Sequence, residues 1–426
     1  MIFVPYIVIY FVFCNQRRRR KARSMSEIKT RPAANSLKVT VLLTGLVAFG
    51  PVSTDLYLAS LPDMGRYFST SVEMVQMTLS VFLLGFAVSM LIYGPLSDRF
   101  GRRPVILGGV VIYVIGSVAC LFAPTIEVLI ASRFLQALGA CCGPVVARAV
   151  VRDVYPRDQA AKVMSYMASA MALAPFVAPI LGGWFHTLFG WRSNFILLGL
   201  FGLILLAGTW FWLTETNQHK DPRALSPRGM LGNYRTLLTD RQVLGYVAVV
   251  SATFAGMFSF ISASSFVLID VLALPPAMFG FGFAVVVSGY IAGGFIAGKW
   301  TGRVGLDRMI GIGTAGAALF GVTAAILAWS GVQTLPAVLL PLMGFFLCGA
   351  MVIPNGSAGA IAPHARMAGA ASACLGFIQM VAGASAGWLH SASFNHSSRP
   401  LATLVGVLGL AALAAYLLLV RRKASP

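Results

Sequence analysis

The sequence predicts an all-α integral membrane protein with about twelve transmembrane helices in two six-helix bundles and both termini in the cytoplasm. Three observations predict it. Of 426 residues, 58% are hydrophobic and 11% charged, with a mean hydropathy of +0.82, whereas an ordinary soluble domain carries about a quarter charged residues. Apolar runs close to the roughly 20 residues that cross a hydrocarbon core recur along the chain. The basic residues collect on one side of the bundle those runs imply.

The runs fall at about 38–59, 74–96, 104–123, 128–150, 161–186, 192–213, 242–267, 278–299, 308–330, 335–354, 367–389 and 401–420. The longest polar break, 214–241, holds Glu215, Lys220, Asp221, Pro222, Arg223, Pro227, Arg228 and Arg235, as a linker between two halves would. The expected organisation is a cytoplasmic tail over 1–36, a bundle over 37–214, a linker over 215–241, a second bundle over 242–420 and a tail over 421–426. Residues 1–24 pair an apolar stretch with Arg17 to Lys21 behind it. A signal peptide carries its charges ahead of the apolar core, so this segment is expected to be a dispensable leader, with Met25 as the working start.

The net charge of +19 comes from 32 basic and 13 acidic residues. With the N-terminus inside, Arg66, Arg192 and Arg399 lie outside and Arg133 lies within a span, leaving the other 28 of the 32 basic residues cytoplasmic. The excess therefore reports membrane orientation, and no nucleic-acid partner is expected. The cysteines of the spans read as packing residues. The histidines, His186, His219, His364, His390 and His396, are scattered near span ends without metal-ligand spacing. No metal site and no cofactor are expected, and an enzyme would need a cluster of titratable groups that so few acids do not supply.

Four stretches carry chemistry. After the second run comes Gly94-Pro95-Leu96-Ser97-Asp98-Arg99-Phe100-Gly101-Arg102-Arg103-Pro104. Its glycines let backbones approach closely, its acid can cap a neighbouring helix, and its arginines can bridge to that acid. In the fourth run, Arg133 costs at least about 2.5–3.5 kcal/mol at a bilayer centre and so needs a partner or a wet cavity; Gln136 follows on the same helical face. In the first run, Asp55 is the one acid well inside the apolar runs of the first half, a few residues from the outer end. At 1.5 Å per residue, Asp55 and Arg133 sit at similar depths of roughly 5–9 Å, which permits a pair across a cavity. The fifth run carries Ala174-Pro175-Phe176-Val177-Ala178-Pro179-Ile180-Leu181-Gly182-Gly183, a kinked helix with a close-packing face.

The loop from Gly94 closely resembles the GxLxDRxGRR signature of the major facilitator superfamily, and Gly298 to Gly305 is a degenerate echo of it in the second half. Arg133 to Gly139 looks like the superfamily's RxxQGxG pattern, with Ala137 in place of a glycine. The fifth run resembles the antiporter motif GPxxGG, with Ala174 for the first glycine and an added proline ahead of the pair. Ser53-Thr54-Asp55-Leu56-Tyr57-Leu58, Arg148 to Asp153, and Gly369 to Gln379 narrow the resemblance to the Bcr/CflA branch of drug:proton antiporters, over about residues 37–420. Ala59 and Ser60 depart from that branch's usual Pro-Ala pair.

The resemblance implies a multi-pass transporter of a bacterial inner membrane, working as a monomer by alternating access and exporting small amphiphilic antibiotics such as phenicols or bicyclomycin. The proton gradient would supply the energy, and the partners would be drug, protons and lipid. Asp55 and Arg133 would couple to protons; Tyr57, Gln136, Phe254 and Phe258 would line the substrate cavity. Gly94, Asp98, Arg99, Gly101, Arg102, Arg103, Arg152 and Asp153 would form the cytoplasmic gate, with Asp98 as helix cap and Arg102 its partner. Pro175, Pro179, Gly182 and Gly183 would limit leak through packing. A proton-coupled metabolite or nutrient transporter of the same fold is the alternative.

Overall fold

The computed structural model describes residues 37–421 except residue 223, so the expected leader and N-terminal tail, and residues 422–426, lie outside the described residues. Among the described residues eleven helices are long and apolar enough to cross a membrane, and a bent pair, Leu37–Val47 with Phe49–Tyr67, makes a twelfth span. The remaining spans, second to sixth, are Val72–Phe100, Arg102–Leu121, Ile126–Val154, Gln159–Phe189 and Arg192–Trp212. The seventh to twelfth are Arg241–Val271, Pro276–Val304, Leu306–Trp329, Leu335–His364, Ala368–Ser393 and Arg399–Val420.

The first span differs from the expected continuous run, and prolines account for it. Pro51 has no N–H to give the Val47 carbonyl, and the helix breaks there with a 44° bend. Pro62 likewise cannot serve the Leu58 carbonyl, which instead accepts from the Leu61 N–H in a short 3₁₀ turn over Leu58–Ser60. The chain then stays helical to Tyr67. Asp55 therefore lies deep in the span, well short of its outer end, and beside the backbone break.

Helices approach closely through glycine, as lipid-embedded bundles require. A Cβ on Gly139 of the fourth span would stand 2.5 Å from the Gly109 carbonyl oxygen and 2.8 Å from Tyr113 Cα of the third. The second and eighth spans end in the same way: Gly101 (φ 105°, ψ 156°) and Gly305 (φ 90°, ψ 153°) adopt one left-handed conformation that a side chain resists. The signature loop and its sequence echo are thus conformational copies, one in each half.

The halves meet at their outer ends. On the eleventh span, Gly383 faces Leu83 of the second and Phe254 of the seventh, and Gly387 faces Ser80. Gly183 of the fifth lies against the Pro276 carbonyl of the eighth. The passage between the halves is closed there. The linker, expected as a plain connection, carries a helix, Pro227–Thr239, started by Ser226 and a proline at its first turn. Its Leu237 is buried against Ala371 and Cys374 of the eleventh span, and the Tyr234 hydroxyl donates to the Leu91 carbonyl of the second at 3.3 Å.

The Gly139 contact makes a prediction. Gly139→Leu should destabilise the protein by about 1–3 kcal/mol through overpacking, read as a lowered thermal midpoint in detergent. Gly294→Leu on the eighth span, where a Cβ meets nothing within 4 Å, should leave it unchanged.

Candidate functional site

The buried charge of the N-terminal half is Arg133, which is 0% exposed. Its Nη2 donates to the Ser53 carbonyl at 2.9 Å, and its Nη1 donates to Gln136 Oε1 one turn along the helix. Ser53 has a carbonyl to offer because the helical piece Phe49–Asp55 ends just beyond it, leaving last-turn carbonyls without an i+4 donor. Gln136 Nε2 passes the chain on to Ser117 Oγ at 2.7 Å, and Ser117 donates to the Tyr113 carbonyl at 2.8 Å. The Tyr113 hydroxyl closes the loop on Ser53 Oγ at 2.8 Å. Two aromatic faces complete the enclosure: the guanidinium carbon lies 4.4 Å from the Tyr57 ring centre and 4.3 Å from that of Phe82. Tyr57 itself is fastened through its hydroxyl to Thr78 at 3.0 Å.

Asp55 is only 2% exposed, yet it is not part of this network. Its carboxylate accepts from Thr54 Oγ1 at 2.8 Å and makes no ion pair among the described residues. The pair across a cavity that their depths permit is therefore not formed here: Arg133 takes a backbone carbonyl two residues from Asp55 in its place. The fifth span covers the same point. Gly182 sits directly on the Leu56 carbonyl, so closely that any Cβ would collide with it. Pro175 and Pro179 lie within that helix, and Gly183 meets the eighth span.

Tyr57 and Gln136 belong to the Arg133 enclosure and are fully buried. Phe254 and Phe258 stand elsewhere, stacked at 6.1 Å between ring centres on the seventh span, against Gly383 and Gly387 of the eleventh. The four cavity candidates thus form two groups, one inside the N-terminal half and one at the seam between halves.

The signature loop is an ionic staple across three helices. Arg102 donates to Asp98 Oδ1 at 2.5 Å, to Ser97 Oγ at 2.7 Å and, through Nε, to Asp153 Oδ2 at 2.9 Å on the fourth span. One expectation is corrected: Asp98 does not cap a helix here. Glu215, just past the sixth span, does so, accepting from the backbone N–H groups of Arg102 at 2.9 Å, Thr216 at 3.0 Å and Asn217 at 2.9 Å. Asp98 is committed to Arg102 instead and stays half exposed. Gly101 has to be glycine twice over, since a Cβ there would also run into the Glu215 carboxylate. Arg103 donates to the Trp210 carbonyl at 2.9 Å, Arg99 lies over the Phe100 ring, Gly94 has open space around its Cα, and Arg152 is exposed. In the second half the equivalent corner has no ion pair among the described residues; Asn355 Nδ2 donates to Thr301 Oγ1 at 3.3 Å and the Tyr246 hydroxyl to Asp307 Oδ1 at 2.6 Å.

Sequence reasoning missed Glu215, Ser53, Tyr113 and Ser117. The last two stand four apart on the third span, a same-face spacing visible in the sequence. Glu215 was visible as the first acid after the sixth span, but its reach back to Arg102 depends on tertiary placement. No group of three or more His, Cys, Asp or Glu that could hold a metal occurs among the described residues.

Twelve spans in two halves, an outer closure and a cytoplasmic staple define a multi-pass membrane transporter. Residues 41–288 match the family described as Major Facilitator Superfamily, and the chain belongs to it. It is 30% identical over 386 residues to a bicyclomycin resistance protein homolog of Haemophilus influenzae, covering 90% of this chain and 96% of that one. It is also 30% identical to multidrug resistance protein D of Escherichia coli, over 81% of this chain and 86% of that one. These relatives bear out the Bcr/CflA resemblance. Among solved structures, the xylose transporter XylE of E. coli in a partially occluded, inward-open conformation shares the fold, with a TM-score of 0.72 at 14% identity over 91% of this chain and 97% of that one. The protein is a transporter of the bacterial inner membrane and not an enzyme.

The enclosure of Arg133 makes a prediction about shape as distinct from charge. Arg133→Lys keeps the charge but cannot serve Ser53 and Gln136 together while stacking between two rings. It should cost about 3–5 kcal/mol, as breaking a buried charged network does, and lower the thermal midpoint more than Gln136→Leu. An Arg133→Lys protein as stable as the parent would contradict this geometry.

Proposed function

We propose that the protein is a proton-driven exporter of small amphiphilic compounds, with Asp55 as the carboxylate that carries the proton. One observation carries the reading. Asp55 is a buried carboxylate, in the middle of a span, which among the described residues accepts a hydrogen bond from Thr54 alone and has no cation paired to it. Burial without a counter-charge favours the protonated form of a carboxyl group, and access to water favours the anion. Alternating exposure to the two sides can therefore load and unload it.

The neighbouring groups have definable parts in such a cycle. Arg133 and Gln136 hold the backbone at Ser53, so movement of the first span and the environment of Asp55 are mechanically linked through two residues of chain. Phe254 and Phe258 offer an aromatic surface to an amphiphilic drug once the seam opens, and Tyr57 gives the N-terminal half a ring on its side. Gly182, seated on Leu56, keeps the fifth span tight against the proton site and limits leak. Arg102, with Asp98 and Asp153, steadies the cytoplasmic end of the N-terminal half. The energy source is the proton gradient, with no cofactor, and the working unit is a monomer.

The names of the similar bicyclomycin and multidrug resistance proteins support drugs as the cargo. Expression in an efflux-deficient bacterium should raise resistance to at least one of phenicols, bicyclomycin or cationic dyes, and Asp55→Asn should remove that resistance at equal protein level. Unchanged susceptibility across the panel, with proton-coupled uptake of a sugar or carboxylate instead, would overturn the reading.

A further inference from the structure

A second buried polar cluster lies in the seam between the halves, at the closed outer end and apart from the Arg133 enclosure. His390 of the eleventh span is 0% exposed, and its Nδ1 stands 3.4 Å from Gln76 Oε1 of the second span, at the long end of hydrogen-bonding range. Because Oε1 can only accept, Nδ1 carries the hydrogen and Nε2 is the basic nitrogen. Among the described residues that Nε2 has no partner, and neither has Gln76 Nε2. One turn inward, the missing side chain of Gly387 leaves a space on which Ser80 Oγ of the second span and Ser262 Oγ of the seventh converge, 3.2 and 3.3 Å from where a Cβ would be. Both hydroxyls are buried and unpartnered as well.

Each such orphan costs about 1–3 kcal/mol relative to its hydrated form. Parting the halves gives these groups access to water as a hydrogen-bond partner and relieves that cost. Charge would sharpen this preference. His390 makes no ion pair among the described residues. From the second span Gln76 meets it, with Glu73 a turn further out, and Phe394, just past its own helix, lies 5.8 Å away between rings; Ser80 of the second span and Phe258 and Ser262 of the seventh surround Gly387, one turn inward. His396 stacks on the far side of Phe394 at 5.2 Å. Asp270, at the outer end of the seventh span, interacts with Arg66 and His396 at the rim. An imidazolium shut into the seam would have no carboxylate to meet it.

We propose that His390 is a second protonatable residue of the transport cycle, a gating residue: the outer gate closes only around neutral His390. With the halves parted, Nε2 takes a proton from external water and the imidazolium holds the gate open. Release of that proton from Nε2 to water restores the neutral ring and permits closure. The sequence of events would prevent the gate from closing on a proton still in transit. The proposal rests on the proton-driven reading above.

Spin-label distances test it on the full-length protein in nanodiscs. Labels at Val128→Cys and Ala392→Cys, at the outer ends of the two halves, are introduced with the native cysteines replaced by alanine. As pH falls through about 6.5, the ordinary value for imidazole, the open-gate population should rise, by at most about tenfold per pH unit for one proton. In His390→Gln, and in His390→Asn as the second neutral variant, the distance distribution should not change with pH. Opening that persists unchanged in either folded variant, or that is absent from the parent, overturns the proposal. Asp55→Asn in the same background separates the two readings. Opening that survives Asp55→Asn but vanishes in His390→Gln supports the gate whatever Asp55 does; opening lost in Asp55→Asn and retained in His390→Gln overturns the gate and leaves Asp55 in place.

Discussion

Burying a permanent guanidinium charge inside a membrane bundle costs several kcal/mol unless each of its faces is met, and much of the N-terminal half is arranged to meet Arg133. Two rings enclose it, a glutamine on its own helix accepts from it, and the first span gives up a backbone carbonyl to it. That carbonyl is free because the helical piece Phe49–Asp55 ends just beyond it. The end of that helical piece, the aromatic pair and the Gln136–Ser117–Tyr113 chain thus converge on one buried cation. Asp55, two residues from the carbonyl, is left without a counter-charge by the same arrangement, and the proposed transport chemistry depends on that asymmetry.

The two ends of the transporter are held by different physics. On the cytoplasmic side, the N-terminal half uses charge: Arg102 joins Asp98 and Asp153 while Glu215 collects three backbone donors beside them. On the outer side the halves close through small residues and neutral polar groups, with Gly183 on one seam and Gly383 and Gly387 on the other. A charged staple keeps its geometry in contact with water. A neutral seam is sensitive to whatever introduces water or charge into it, which suits a gate that has to open.

The architecture was legible in the sequence because hydrophobic length and charge sorting are local signals. Twelve runs gave the spans, and the lone Arg133 and Asp55 stood out because so few charges fall inside them. The signature loop stood out as a motif, and its Asp98 and Arg102 meet in an ion pair. The capping role fell to Glu215 because reach between a loop and a distant helix end depends on packing that no spacing rule encodes. For the same reason the Asp55–Arg133 pair did not form: similar depth placed both groups, but the Ser53 carbonyl, free where the helical piece Phe49–Asp55 ends, took the guanidinium. His390 looked like one of several scattered histidines until the eleventh span was seen to pack on the second.

The central claim is that Asp55 carries the transported proton, and the most direct measurement is proton release from purified protein in weakly buffered detergent when a transported drug is added. By linkage, a drug that displaces the proton should release up to about one proton per drug bound, and Asp55→Asn should bind drug and release none. Equal proton release from the Asp55→Asn protein would contradict the account.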